Sequence, residues 1–103
     1  MAGQFDFCGS QRLTTTDSAI GDSGLPIVLY GYTIESGATA SKVIFRNGTS
    51  ATATEVFNDT GTVNVSVVRN PAGGKGVLFP LGLFVDLDAN IVSCALFYSQ
   101  VRT

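Results

Sequence analysis

Short alternations of apolar and polar residues recur along the chain, divided by Gly, Asn, Asp and Ser at intervals of about eight to twelve positions. No long segment keeps a helical period. Strands are predicted at Leu25–Glu35, Lys42–Arg46, Ala51–Phe57, Thr62–Arg69 and Ile91–Val101, with a further apolar run at Val77–Leu87. The pattern therefore predicts an all-β fold, a two-sheet β-sandwich or jelly roll of about eight strands.

The first strong strand, Leu25–Glu35, alternates so that Val28, Tyr30, Tyr32 and Ile34 are predicted to share one face. Two tyrosines on one strand face form either part of a core or a platform on which a sugar ring stacks. The apolar neighbours Val28 and Ile34 favour the core.

The segment Thr62–Arg69 alternates most regularly, and Val63, Val65 and Val67 are predicted to face inward. On this pattern Val65→Asp would bury an unpaired charge and unfold the domain. Ser66→Asp, one residue along, would have little effect.

The C-terminal third is the most apolar part of the chain. Pro80 interrupts the run Val77–Leu87, and because proline cannot donate to a ladder it marks a strand start, an edge or a break between sheets. The last strand, Ile91–Val101, is apolar on both predicted faces. Either a neighbouring subunit covers one of these faces, or the strand is central in the sandwich.

Residues 1–24 are the least strand-like part, and Asp17–Gly24 collects turn-forming residues. We therefore predict an N-terminal arm or loop at 1–24 and a β-sandwich domain at 25–103. Phe5 and Phe7 would anchor this arm on a neighbouring subunit or on the larger assembly that the chain joins, because residues i and i+2 of an extended segment point the same way. The alternative is that the chain from Phe5 to Cys8 is a core strand.

Charged residues make up only 14% of the chain, and Ser, Thr and Gly take their place. Such a surface is either partly covered by other protein or simply polar and uncharged. The net charge is −2 and the six basic residues are scattered, which argues against nucleic-acid binding. No segment approaches the roughly 20 apolar residues of a membrane helix, and no secretory signal is visible, so synthesis in a cytoplasm is expected. Cys8 and Cys94 either pair across the domain or remain reduced, with Cys94 a small buried residue.

The chemistry of catalysis is sparse. The chain has no histidine, which removes the usual general base and the commonest metal ligand, so we expect no enzyme activity, cofactor or metal. Asp86 and Asp88 share a strand face and resemble the opening of a calcium loop. Ile91 and Phe97, however, occupy the positions where that loop needs Gly and Glu. A solvated strand end is the preferred interpretation of the pair.

Several segments together resemble small virion proteins of tailed bacteriophages, over roughly residues 26–100. These segments are Leu29-Tyr30-Gly31, Ser36-Gly37, Arg46-Asn47-Gly48-Thr49, the run from Phe79 to Asp86, and Leu96-Phe97-Tyr98. The resemblance implies an all-β capsid decoration or cement protein on the virion surface. It also implies a homo-oligomer, commonly a trimer, that binds the major capsid protein and stabilises the head.

The apolar segments predict the residues of an interface, which are Phe5, Phe7, Phe79, Leu81, Phe84 and Phe97. No catalytic or ligand-binding residue is carried over from the resemblance. The alternative function is a carbohydrate-binding module, or a fibre or tail component of the same kind of particle.

Overall fold

The computed structural model describes the backbone of residues 5–14, 17–21 and 24–101, and the side chains of residues 11–100 within those ranges. The described residues form nine strands and one short 3-10 turn at Pro71–Gly74. The strands are β1 (Phe5–Leu13), β2 (Ser18–Ile20), β3 (Ile27–Ser36), β4 (Lys42–Asn47), β5 (Thr54–Thr60), β6 (Ser66–Arg69), β7 (Val77–Phe79), β8 (Leu83–Leu87) and β9 (Ile91–Val101).

The strands pair antiparallel in two sheets. The five-stranded sheet has the order β1-β9-β3-β6, with β7 also on β3, and the four-stranded sheet has the order β2-β8-β4-β5. Strands β6 and β7 pair with different halves of β3 along one edge, so together they act as one interrupted strand. Counted in this way, the order is that of an eight-stranded jelly roll, and the predicted fold class is confirmed.

The core lies between the two sheets and is built from alternate residues of each strand. Four aromatic rings join the sheets at its centre. Tyr32 lies 4.7 Å from Phe45, Phe45 stacks on Phe57 at 4.6 Å, and Phe57 lies 6.3 Å from Phe79, measured between ring centroids. Such pairs add about 0.5–1.5 kcal/mol each beyond their buried area.

A β-bulge in β3 reverses the predicted alternation of the first half of that strand. Leu29 pairs with Tyr98 and Gly31 with Phe97, which leaves Tyr30 as the extra residue. The buried face is therefore Ile27 and Leu29 before the bulge and Tyr32 and Ile34 after it. Tyr30 is 39% exposed and Tyr32 only 4%, so the prediction that they share a face is wrong.

Residues 5–13 and 18–20 form strands, although the whole segment 1–24 is predicted to be an arm or loop. Strand β1 pairs with β9 through eight residue pairs, from Phe5 opposite Val101 to Leu13 opposite Cys94. Strand β2 pairs with β8 in the other sheet. The polar composition concealed these strands, because an antiparallel edge strand needs few apolar residues when its backbone is paired on one side.

The predicted strand Thr62–Arg69 is strand only from Ser66 onward. Val65 donates its N–H to the carbonyl of Thr62, and Asn64 between them has a φ of 56°, so residues 62–65 form a turn. Val63 and Val65 are 42% and 46% exposed, and the prediction that they face inward is wrong. Val67, inside β6, does pack against the core.

Pro80 lies where the chain leaves one sheet for the other. Strand β7 ends at Phe79 in the five-stranded sheet, and β8 begins at Leu83 in the four-stranded sheet. Pro80 is thus a break between sheets, one of the three roles predicted for it. Strand β9 lies between β1 and β3, and its central position accounts for much of its apolar character.

The two cysteines cannot form a disulfide within one folded chain. Cys8 pairs with Ser99, and Cys94 with Leu13, so they lie five residues apart along the β1–β9 ladder. At about 3.3 Å per residue this is roughly 17 Å, against the 4.4–6.8 Å between Cα atoms that a disulfide spans. Cys94 is free and buried.

We expect Cys94 to be unreactive toward thiol reagents in the folded protein. Burial raises the pKa of its thiol to about 12, so only about one thiol in ten thousand is ionised at pH 8. In a Cys8→Ser variant, DTNB should react with no thiol of the native chain and with one after unfolding in guanidinium. Rapid reaction of the native variant would show that Cys94 lies outside the core.

Candidate interaction surface

The outer face of the five-stranded sheet carries a group of apolar side chains that the fold leaves uncovered in the single chain. Four of the nine exposed large hydrophobic residues of the described chain lie on it. They are Tyr30 (39% exposed), Val68 (64%), Leu78 (54%) and Phe97 (46%), and the partly buried Val28 lies among them. These five residues are called the outer apolar patch below.

The strand register places the patch across three neighbouring columns of the sheet. Leu78 of β7 lies opposite Val28 of β3, and Val68 of β6 lies opposite Thr33 further along β3. Phe97 of β9 lies opposite Gly31 in the row between them. Three apolar side chains therefore surround the bulge that carries Tyr30.

The bulge sets the position of the Tyr30 ring. Its hydroxyl accepts a hydrogen bond from Ser99 Oγ at 3.2 Å, which holds the ring along the outer face toward β9. Gly76 packs closely on the other side, with a φ of 90°, and a Cβ atom there would lie 2.6 Å from Val28 Cγ1 and 3.0 Å from the Tyr30 ring. Glycine is therefore required at position 76 both for its backbone conformation and for this close approach.

The charged groups of this face lie beside the patch instead of within it. Arg12 is exposed at the position opposite Ala95, and Glu35 accepts a hydrogen bond from Ser93 Oγ at 2.9 Å at the far end of the sheet. Depletion of charge at the centre and polar groups at the margin are typical of protein interfaces.

A cluster of three polar side chains links the two sheets on the side of β3 opposite the patch. Tyr32 donates its hydroxyl to Asp59 Oδ2 at 2.8 Å, and Arg69 Nε lies 3.1 Å from the same oxygen. Burial, and then the adjacent carboxylate, raises the pKa of the Tyr32 hydroxyl well above its usual range, which keeps it a donor. Because Arg69 lies in β6 next to Val68, the cluster also fixes the edge of the sheet that carries the patch.

The structure does not gather the six predicted interface residues on one surface. Phe97 belongs to the outer apolar patch. Leu81 is 61% exposed, but it lies in the β7–β8 turn, where its N–H donates to Asn47 Oδ1 at 2.8 Å. Phe84 is partly buried on the outer face of the four-stranded sheet, opposite Arg46.

The other three predicted residues lie in the core or beyond the described side chains. Phe79 is completely buried and contacts the aromatic core, so predicting it for an interface is wrong. The backbones of Phe5 and Phe7 pair with Val101 and Gln100, and their side chains lie outside the described part of the structure.

Four patch residues, Val28, Tyr30, Val68 and Leu78, are not among the interface residues predicted from the sequence. The sequence pattern predicts Tyr30 in the core, because the alternation that includes Tyr32 runs through Gly31 without a bulge. An isolated glycine within a strand often marks a bulge, and Gly31 is the signal that would have moved Tyr30 to the outer face. Val68 and Leu78 gave no such signal, because their strands are only four and three residues long.

The carboxylates of the predicted calcium-like segment serve structural contacts. Asp86 forms an ion pair with Arg46 at 3.0 Å, and the two oxygens of Asp88 accept the backbone N–H groups of Lys42 and Asn90. Within the described residues no group of three or more acidic, Cys or His side chains is placed to hold a metal ion, and no pocket forms. No helix in the described ranges is long and apolar enough to cross a membrane.

Comparison with known proteins gives distant structural similarity without a matching sequence family. No protein-family model matches the chain, and no curated protein matches it at a significant level. A solved chain from the Bacillus endospore appendages, described as a novel family of disulfide-linked pili, is similar with a TM-score of 0.47 and 12% sequence identity. The similarity covers 93% of this chain and 85% of that chain.

Proposed function

We propose that the chain is a structural subunit of a bacteriophage particle, a capsid decoration protein that binds the major capsid protein and other copies of itself. The outer apolar patch is the observation that supports this most directly. Its four large side chains are 39–64% exposed on a single sheet face, and contiguous apolar surface of this kind marks interaction sites. The resemblance of residues 26–100 to small phage virion proteins supplies the particular setting.

The composition of the surface agrees with such a role. Only 14% of the residues are charged, and the outer face offers serine and threonine between its apolar side chains. Binding becomes less favourable when a charged side chain loses its water without gaining a partner. A sparsely charged face is therefore suited to being covered by another protein. The role proposed is therefore binding and assembly, with no reaction catalysed.

A decoration protein stabilises a shell by adding contacts that the shell protein lacks. Each standard contact buries about 800 Å² per partner, and the symmetry of the shell repeats it over the particle. Because the subunit binds the assembled shell in preference to its dissociated parts, mass action shifts the equilibrium toward the intact particle.

The described part of the structure does not contain the pair of tyrosines on one strand face that would stack on a sugar ring in the carbohydrate-binding alternative. Tyr30 and Tyr32 lie on opposite faces of β3, and Tyr32 is buried with its hydroxyl bonded to Asp59. A fibre or tail position on the same particle differs from decoration in copy number and location, and it is an outcome of the experiment that follows.

We expect the purified chain to co-sediment with empty capsid shells of the source phage and to raise the temperature at which they dissociate. Antibody labelling of intact particles should place it over the whole head surface, at on the order of hundreds of copies. The matched control is the same shell preparation with an unrelated small β-sandwich protein. Labelling confined to the tail, or absence of the chain from purified particles, would contradict the proposal.

A further inference from the structure

We propose that two copies of the chain pair face to face through the outer apolar patch, around a two-fold axis that runs along β3. The inference rests on the proposed function in one respect, that a structural subunit meets other copies of itself. The pairing itself is argued from the register, size and charge of the patch.

The register gives the patch a shape that complements itself. Leu78 and Val68 lie at one edge of the sheet, separated by roughly 13 Å along the strand direction, since they stand opposite Val28 and Thr33 of β3. Phe97 is on β9, two strands away from this edge, and along the strand direction it lies midway between Leu78 and Val68. A two-fold axis along β3 exchanges these columns and places Phe97 of each copy between Leu78 and Val68 of the other.

The bulge residue completes this arrangement at the axis. Tyr30 belongs to the middle column, so the two-fold axis brings the Tyr30 rings of the two copies together. Ser99 holds its hydroxyl in place, which reduces the ordering that pairing requires. Sheets that pack face to face lie about 10 Å apart with interdigitated side chains, and a row of aromatic and aliphatic side chains suits that distance.

The size of the patch fits the apolar part of a homodimer interface. The exposed fractions of its four large residues correspond to about 400 Å² of accessible surface. A standard interface buries about 800 Å² on each partner, of which about 65% is apolar in homodimers. The patch therefore supplies most of the apolar area of one such interface, and serine, threonine and Asn70 around it supply polar margin.

A second copy is the occupant favoured by the symmetry of the patch. No charged side chain lies within the patch: Arg12 is on β1, and Glu35 is on β3 past the row of Thr33 and Val68. The two-fold axis sets the two Glu35 side chains opposite each other at the margin of the contact. A two-fold contact closes at two copies, whereas the trimer implied by the phage resemblance needs a head-to-tail contact between two different surfaces. The patch is a single surface, and its own copy is its complement.

The test is the oligomeric state of the full chain and of two charge variants, measured by sedimentation velocity from about 1 to 100 µM. The parent chain should form a dimer. Phe97→Asp should be monomeric, with Kd raised roughly 1,000-fold, because each dimer contains the substituted hot-spot position twice. Val56→Asp, at a 44% exposed position on the other sheet, should dimerise like the parent.

Folding is checked by circular dichroism, and both variants should melt cooperatively. Val56→Asp should melt close to the parent chain, and Phe97→Asp somewhat lower, because it lacks the stabilisation that dimer formation adds. A cross-link locates the axis: in a Cys8→Ser background, a bismaleimide reagent with a short spacer should link Tyr30→Cys into a dimer, whereas Val56→Cys should not be linked. The spacer is needed because packed sheets lie about 10 Å apart, which is farther than a disulfide reaches. A folded Phe97→Asp variant that remains dimeric, or a parent chain that is monomeric or trimeric at about 100 µM, overturns the pairing.

The pairing and the proposed function fail in different ways. A monomeric chain that still co-sediments with capsid shells overturns the pairing and leaves decoration standing. A dimer that dissociates with Phe97→Asp but ignores the shells supports the pairing and contradicts decoration.

Discussion

Val85→Asp is expected to unfold the domain, whereas Val65→Asp is expected to leave it folded. Val85 is completely buried in β8, where it pairs with Phe45 on one side and Ser18 on the other. An unpaired carboxylate there costs several kcal/mol, against a margin of roughly 5–10 kcal/mol for a small domain. Val65 is 46% exposed in the turn before β6, where aspartate remains hydrated.

Thermal melts followed by far-UV circular dichroism measure both effects. Val85→Asp should show no cooperative transition, and Val65→Asp should melt within about 4 °C of the parent chain. Val85→Ala serves as the control for lost packing alone, and it should remain folded but less stable by about 2–3 kcal/mol. If Val65→Asp unfolds the chain, the inward register suggested by its alternation is right and the turn at 62–65 is wrong.

The two valines show how far alternation alone predicts this fold. In Leu83–Leu87, within the predicted apolar run Val77–Leu87, the period of two continues without interruption. The strand Ile91–Val101 has its predicted bounds, but a bulge leaves Val92 as an extra residue, 43% exposed, and the period holds only from Ser93 onward. In residues 62–69 the same period runs through a turn. The alternation of valine with polar residues in that segment does not reflect a strand with a buried face. Asn64 has a left-handed backbone conformation, which an extended strand does not allow.

The jelly-roll order could not be read from the sequence, because strand partners depend on contacts between distant residues. Strands β1 and β9 are neighbours although most of the chain separates them. The number of strands and the missing helical period were sufficient for the fold class, whereas the pairing of each edge required the structure.

The candidate surface was predicted only in part for a similar reason. Phe97 was identified because β9 is apolar on both faces, and the structure confirms that this residue is exposed. The rest of the patch depends on one bulge residue, Tyr30, and on two short strands that meet the same edge of β3. A shift of one residue in β3 moves an aromatic ring from the core to the outer face.

Deleting residues 2–13 is expected to leave the chain insoluble or unfolded. The deletion removes β1, including Leu13, which is 6% exposed and packs in the core beside Cys94. Strand β9 would become an open edge, with Leu96 and Tyr98 no longer covered from the β1 side. We expect the loss to exceed the margin of roughly 5–10 kcal/mol of a small domain.

A deletion of residues 2–4, which stops before β1, should remain soluble and melt cooperatively, and it is the matched control for the truncation. Soluble yield, circular dichroism and binding of a hydrophobic dye compare the two variants. A peptide of residues 5–13 added during refolding should restore the truncated chain, because the missing ladder to β9 forms again between chains. A scrambled peptide of the same composition should not restore it, since register depends on the order of the residues. A truncated chain that is soluble and cooperative without any peptide would instead show that β1 is dispensable, and the N-terminal segment would then be the arm that its composition suggests.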